Sequence, residues 1–99
     1  MSTSSRRHQI NAKVLERRIC TMLGGKRRGP MPGSDCVDTP YAVEVKRMKR
    51  LSLRAEHVEQ ARRQGEAEGK PWILVLCEHG SDEPLVVMPF KKWLLTQPV

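Results

Sequence analysis

The chain has 99 residues, with 18 Lys and Arg against 11 Asp and Glu and a formal net charge of +7. That length suits one small domain with a modest core, so an oligomer that shares apolar surface is expected. Residues 1–50 carry 12 basic and 4 acidic side chains, net +8, and residues 51–99 carry 6 and 7, net −1. A positive field concentrated in one half favours a polyanion, most simply nucleic acid. No segment approaches the length of a bilayer span. The start MSTSSRRHQ has no apolar core behind its arginines, unlike a secretory signal. Cys20, Cys36 and Cys77 are widely spaced and odd in number, which argues against a disulfide framework. Together these features predict a cytoplasmic protein without membrane contact.

Residues 1–8 are polar and basic and read as a disordered tail, leaving residues 9–97 as a single domain. Gln9 to Leu23 reads as a helix with Ala12, Ile19 and Leu23 on one stripe and Leu15 and Met22 beside it. Gly24-Gly25 ends it. Glu16 falls within that stripe; it either sits at the stripe's edge beside Lys13 or Arg17 or faces a functional site. Lys26 to Ser34 is basic and rich in Gly and Pro, fitting a short edge strand and a loop. A second short strand follows between Asp35 and Thr39. The stretch YAVEVK, Tyr41 to Lys46, alternates as a strand. Ser52 is a fair N-cap for a helix from about Leu53 to Glu68, ended by Gly69 and Pro71. WILVLC, Trp72 to Cys77, reads as a strand covered on both faces, with Cys77 as a small buried hydrophobe. A turn from Glu78 to Pro84, a strand from Leu85 to Met88 and a short helix to Leu95 complete the chain, with Phe90, Trp93 and Leu94 expected to pack inward. This order predicts an α/β fold, a small mixed sheet flanked by helices, with a right-handed crossover from YAVEVK to WILVLC.

The chemistry-bearing stretch is GSDCVDTPYAVEVK, Gly33 to Lys46. Glu44 and Lys46 lie two apart on a strand and project from one face. With a carboxylate from the preceding segment, Asp35 or its competitor Asp38, they suit Mg²⁺, which takes a few carboxylate oxygens and keeps several waters. The bland alternative is an exposed Glu–Lys pair worth a few tenths of a kcal/mol. His57 reads as an interfacial histidine, and Glu78, His79, Asp82 and Glu83 as a solvated turn. Tyr41, Trp72, Phe90 and Trp93 are the only aromatics and read as core, which makes base stacking a poor explanation.

These elements and spacings resemble the PD-(D/E)xK nuclease superfamily, and within it archaeal-type and phage Holliday junction resolvase-like proteins. Ser34-Asp35 stands where that family has Pro-Asp, Glu44-Val45-Lys46 is its E-x-K half, Glu16 lies in the first helix, and Gln60-Ala61 matches a glutamine-bearing motif. The resemblance covers about residues 9–95. It implies a restriction-endonuclease-like αβββαβ core and selects Asp35 over Asp38. It further implies a Mg²⁺-dependent endonuclease, with Mn²⁺ as a substitute. Asp35, Glu44, the Val45 carbonyl and Glu16 would hold the ion, Lys46 would orient the attacking water, and Gln60 would fix a ligand or Lys46. Arg6, Arg7, Lys13, Arg17, Arg18, Lys26, Arg27, Arg28, Arg47, Lys49 and Arg50 are the candidates for holding DNA phosphates, and a four-way junction would suit a two-fold homodimer. Asn11-Ala12 departs from the Lys-Gly frequent in that family. The rival readings are a non-catalytic DNA-binding module of the same fold and a nuclease acting on other DNA structures.

Overall fold

A computed structural model describes residues 2–98 of the chain, with side chains described from Ala12 to Pro98. The chain runs α1 (Ser2–Met22), β1 (Lys26–Arg27), β2 (Cys36–Val37), β3 (Ala42–Met48), α2 (Ala55–Glu68), β4 (Trp72–Glu78), β5 (Leu85–Val87) and α3 (Phe90–Leu95). It is a small α/β protein with a mixed sheet. β1 and β2 form an antiparallel ribbon, β3 and β4 pair in parallel, and β4 and β5 pair antiparallel. The Asp35 amide donates to the Val43 carbonyl at 2.8 Å, which ties the ribbon to the free edge of β3.

The pleat of β3 and β4 sorts their side chains onto two faces. Val43 and Val45 lie in register with Ile73 and Val75, and these four join Leu15, Ile19, Cys20 and Cys36 in the larger core, under α1. On the opposite face Leu74 and Leu76 pack with Ala61 of α2. Fully burying side chains of this kind contributes about 1.5–3 kcal/mol each, so β4, apolar on both faces, anchors the domain. α2 must lie close to the start of β4. Gly65 permits this: a Cβ there would stand 2.8 Å from the Lys70 carbonyl oxygen. The parallel β3–α2–β4 connection agrees with the expected crossover unit, and no described helix is long and apolar enough to cross a membrane.

Several expectations need correction. α1 begins at Ser2 rather than Gln9. Arg54, not Ser52, occupies the α2 N-cap, and it makes no side-chain capping bond. Ser52 instead donates through its amide and hydroxyl to the Met48 sulfur. Phe90, Trp93 and Leu94 do not pack inward; α3 has no buried residue, and Phe90 and Trp93 are 68% and 45% exposed. A helix of six residues has little surface to bury, and the two rings pack on one another, centroids 5.7 Å apart.

The cysteines also depart from expectation. Cys20 and Cys36 form a disulfide, while Cys77 is free and buried. The last turn of α1 and strand β2 bring the two Cα atoms to 5.4 Å, a tertiary proximity that counting cysteines does not reveal. The bridge closes a loop of 16 residues, for which chain entropy gives about 3 kcal/mol. Reduction by a thiol, followed by urea denaturation, should lower unfolding stability by about that amount, and a Cys20→Ser/Cys36→Ser variant should show no thiol effect.

Candidate functional site

Asp35 lies at the seam between the β1–β2 ribbon and β3, close enough to Glu44 to raise its carboxyl, and Lys46 acts electrostatically on both acids. Asp35 reaches the strand edge, where its Oδ2 accepts the Val45 amide at 2.6 Å. The N–H and C=O of one strand residue point to the same edge. Val45 therefore directs its carbonyl towards Asp35, whereas Ala42 donates to Pro71 and Met48 accepts from His79 on the β4 side. Glu44 lies opposite Leu74 and Lys46 opposite Leu76, both on the α2 face. Glu44 is 3% exposed, and its Oε1 is buried with no hydrogen-bond partner. A buried carboxylate oxygen without a donor is costly, and the unfilled acceptor beside a second carboxylate and a backbone carbonyl suits a hard cation. The donor set of Asp35, Glu44 and Val45 carbonyl oxygens matches Mg²⁺ chemistry. Among the described residues no group of three or more His, Cys, Asp or Glu side chains is placed to hold a metal ion.

Burial and then Asp35, with smaller pushes from Glu68 and Glu16, raise the Glu44 carboxyl to about 7, against the opposing pull of Lys46. Asp35 is raised by burial, opposed by the Val45 amide; Glu16 adds to the rise, and Lys46 and Arg27 oppose it. The two acids thus act on one another and on the same lysine. Separated carboxylates on an exposed strand would not.

Glu16 is near enough to act on both acids, but Arg27 donates to its Oε1 at 3.1 Å. The ion pair makes it a flanking charge rather than a free ligand. Asp38 is exposed with φ 61° in the turn before β3, and forms no part of the seam. Gln60 stands exposed on α2 with no hydrogen bond to the acids; the α2 face turned to the sheet carries Ala61, Gly65 and half-buried Gln64 and Glu68. Of the expected phosphate-binding residues, Arg27 is held by Glu16 and Arg28 by the loop it closes. Lys13, Arg17, Arg18, Lys26, Lys49 and Arg50 are exposed, and Arg47 is half-buried. The side chains of Arg6 and Arg7 lie outside the described residues.

No family model, curated protein or solved structure matches the chain. The site must therefore be judged on its own chemistry.

Glu68 is the residue that sequence reasoning missed. Its Oε2 accepts the Ser34 amide at 2.8 Å, and its Oε1 accepts the Ser34 hydroxyl at 2.8 Å and the Arg28 guanidinium at 3.2 Å. Arg28 also donates to the Ser34 and Cys36 carbonyls, at 2.6 and 3.3 Å. Asp35 is thus clamped on both flanks. A carboxylate in the last turn of a helix opposes the helix dipole, and the three bonds offset that. The only sequence signal was an acid where a helix end favours a base. Glu68→Ala would leave a buried amide and a guanidinium without their acceptor, so we expect it to cost about 2–4 kcal/mol, measured by urea denaturation, with Glu68→Gln recovering part of the loss.

Proposed function

We propose that this chain is a metal-dependent DNA endonuclease of the PD-(D/E)xK type, with a restriction-endonuclease-like core. The observation that carries the reading is the seam itself: Asp35 bonded to the Val45 amide, beside the unpartnered buried Oε1 of Glu44. The layout supports it: β3 and β4 pair with α1 and α2 on opposite faces, and the separate β1–β2 ribbon is joined to the free edge of β3 through the Asp35 amide.

Asp35, Glu44 and the Val45 carbonyl would hold Mg²⁺ or Mn²⁺. When bound, the ion lowers the pKa of water and offsets charge on phosphoryl oxygens. Lys46, one pleat beyond Glu44, orients the attacking water and stabilises the negative charge that grows on the phosphoryl group. Glu16 lends negative potential from α1 without direct ligation. Ser34 is more than a tolerated substitute for the proline of the family pattern: proline has no N–H and could not donate to Glu68.

Structure-selective cleavage of a four-way junction by a homodimer is the form of this activity we favour. The exposed cations on α1 and at the end of β3 contact backbone rather than bases. An apolar groove of about 540 Å³ between α1 and β4–β5, lined by Val14, Ile19, Met22, Ile73 and Val86, offers surface for a second copy. The rival, a DNA-binding module without cleavage, draws on the engagement of Glu16 with Arg27. Incubating the chain with four-way junctions, flaps, single strands and linear duplex in Mg²⁺ or Mn²⁺ decides between them. Preferential junction cleavage supports the proposal; DNA binding without cleavage of any substrate supports the rival.

A further inference from the structure

Past Lys46 the chain builds a second feature. A cavity of about 480 Å³ opens where β3 ends and α2 begins. Lys46, Arg47, Lys49, Arg50, Arg54 and His57 line it, and no acidic side chain does. Arg47 lines it from β3 but sends its guanidinium to the other face of the sheet, where Nη1 donates to the Cys77 sulfur at 3.8 Å; His57 Nδ1 is buried with no hydrogen-bond partner. The N-terminus of α2 lies at the same place: Arg54 gives no side-chain cap, and the first helix amides with partners are those of His57 and Val58, both donating to the Arg54 carbonyl. The amides of Ala55 and Glu56 have no acceptor among the described residues. Of the nearby carboxylates, Glu56 makes an exposed ion pair with Arg54 at 3.7 Å, which offsets part of that one charge, and Glu78 accepts the Leu51 amide at 2.9 Å.

Four cations around one concavity, Lys46, Lys49, Arg50 and Arg54, repel one another and favour an anion among them. Unfilled helix amides and a guanidinium fork suit tetrahedral oxyanions. We infer that this cavity is a phosphate-binding pocket, and that its occupant is a backbone phosphate of the DNA strand next to the bond being cut. This rests on the endonuclease reading for its occupant, though its binding can be read without cleavage. Lys46 belongs to both places. At about 3.3 Å per strand residue it lies roughly 7 Å along β3 from Glu44, so a strand engaged at the acids runs directly into the pocket. The pocket would fix the strand's register on the protein without reading its sequence.

The test is DNA affinity as a function of salt, for the full chain in EDTA, where no cleavage occurs. Arg50→Gln/Arg54→Gln removes two exposed lining charges; Lys91→Gln/Lys92→Gln removes two from α3 as a matched control. The pocket variant should bind about tenfold more weakly, to a similar degree for unrelated sequences, with the slope of log affinity against log salt reduced by about 1. The control should keep the wild-type slope apart from a general weakening shared by any loss of charge. Unchanged thermal melts confirm that both variants fold. Equal slopes for the pocket variant, the control and the wild type would overturn the inference. So would a wild type that binds inorganic phosphate at the pocket yet binds no DNA. A wild type that binds DNA through the pocket but never cleaves it in Mg²⁺ would leave the pocket standing and remove the endonuclease reading.

Discussion

Replacing Asp35 by Asn, or Glu44 by Gln, should lower Mg²⁺-dependent DNA cleavage by at least about 100-fold while leaving DNA binding in EDTA essentially intact. Residues that only orient a metal ligand are worth about 10–100-fold, and these two would be the ligands themselves. Each amide keeps the shape of the acid it replaces, so the loss is of charge rather than packing. The two variants should differ in stability. Asp35→Asn retains a carbonyl that can accept the Val45 amide, whereas Glu44→Gln removes a buried charge whose Oε1 nothing satisfies. An inactive Glu44→Gln protein that melts at a higher temperature than the wild type at pH 8 is therefore the expected pair of results. Endpoint cleavage assays and thermal melts on the same samples check it.

The second large effect is on stability against pH, without divalent ions. The folded chain holds the Glu44 carboxyl near 7, against an ordinary value of 4.5. The folded state thus binds this proton more tightly than the unfolded state does. Its contribution favours folding at low pH and is lost as the pH rises from about 4.5 through about 7. The difference corresponds to roughly 2.5 kcal/mol between pH 5 and pH 8, or about 10 °C or more in melting temperature for a domain of this size. Asp35, also raised, pushes in the same direction. Denaturation at the two pH values should show the wild type losing stability relative to Glu44→Gln on the alkaline side. Mg²⁺, which selects the ionised acids, should return much of that loss at pH 8 and little at pH 5.

Much of this arrangement could be read from the residues. The alternation in YAVEVK placed Glu44 and Lys46 on one face, and the continuous apolar run WILVLC marked a strand covered on both sides; β4 has that burial. Gly69 ended α2 with φ 65°, as a C-terminal glycine does. Asp35 and Asp38 could not be separated by pattern alone, because either lies within reach of a strand that begins a few residues later. The turn at Asp38, held by the Thr39 hydroxyl donating to the Tyr41 carbonyl at 2.7 Å, turns one acid outward and leaves the other at the seam.

What stayed hidden was long-range. Glu68 and Ser34 are 34 residues apart in sequence, and nothing local links them. By its place on the helix Gln60 reads as a surface residue, and only the motif resemblance aimed it at the site; the helix phase set by Ala61 and Gly65 does turn it to solvent. The disulfide needs α1 and β2 to meet, which no cysteine spacing encodes. α3 kept its exposed rings because a helix of six residues buries little unless something else comes to cover it.

The most direct test is calorimetric titration of Mn²⁺ or Mg²⁺ into the wild type and into Glu44→Gln at pH 7, each in two buffers of different ionisation enthalpy. Asp35 and Glu44 jointly holding one ion predicts binding that displaces a fraction of a proton, because Glu44 is about half protonated there, with that proton release absent in Glu44→Gln. Titrations showing no binding, or binding with the same heat in both buffers and no change on Glu44→Gln, would contradict it.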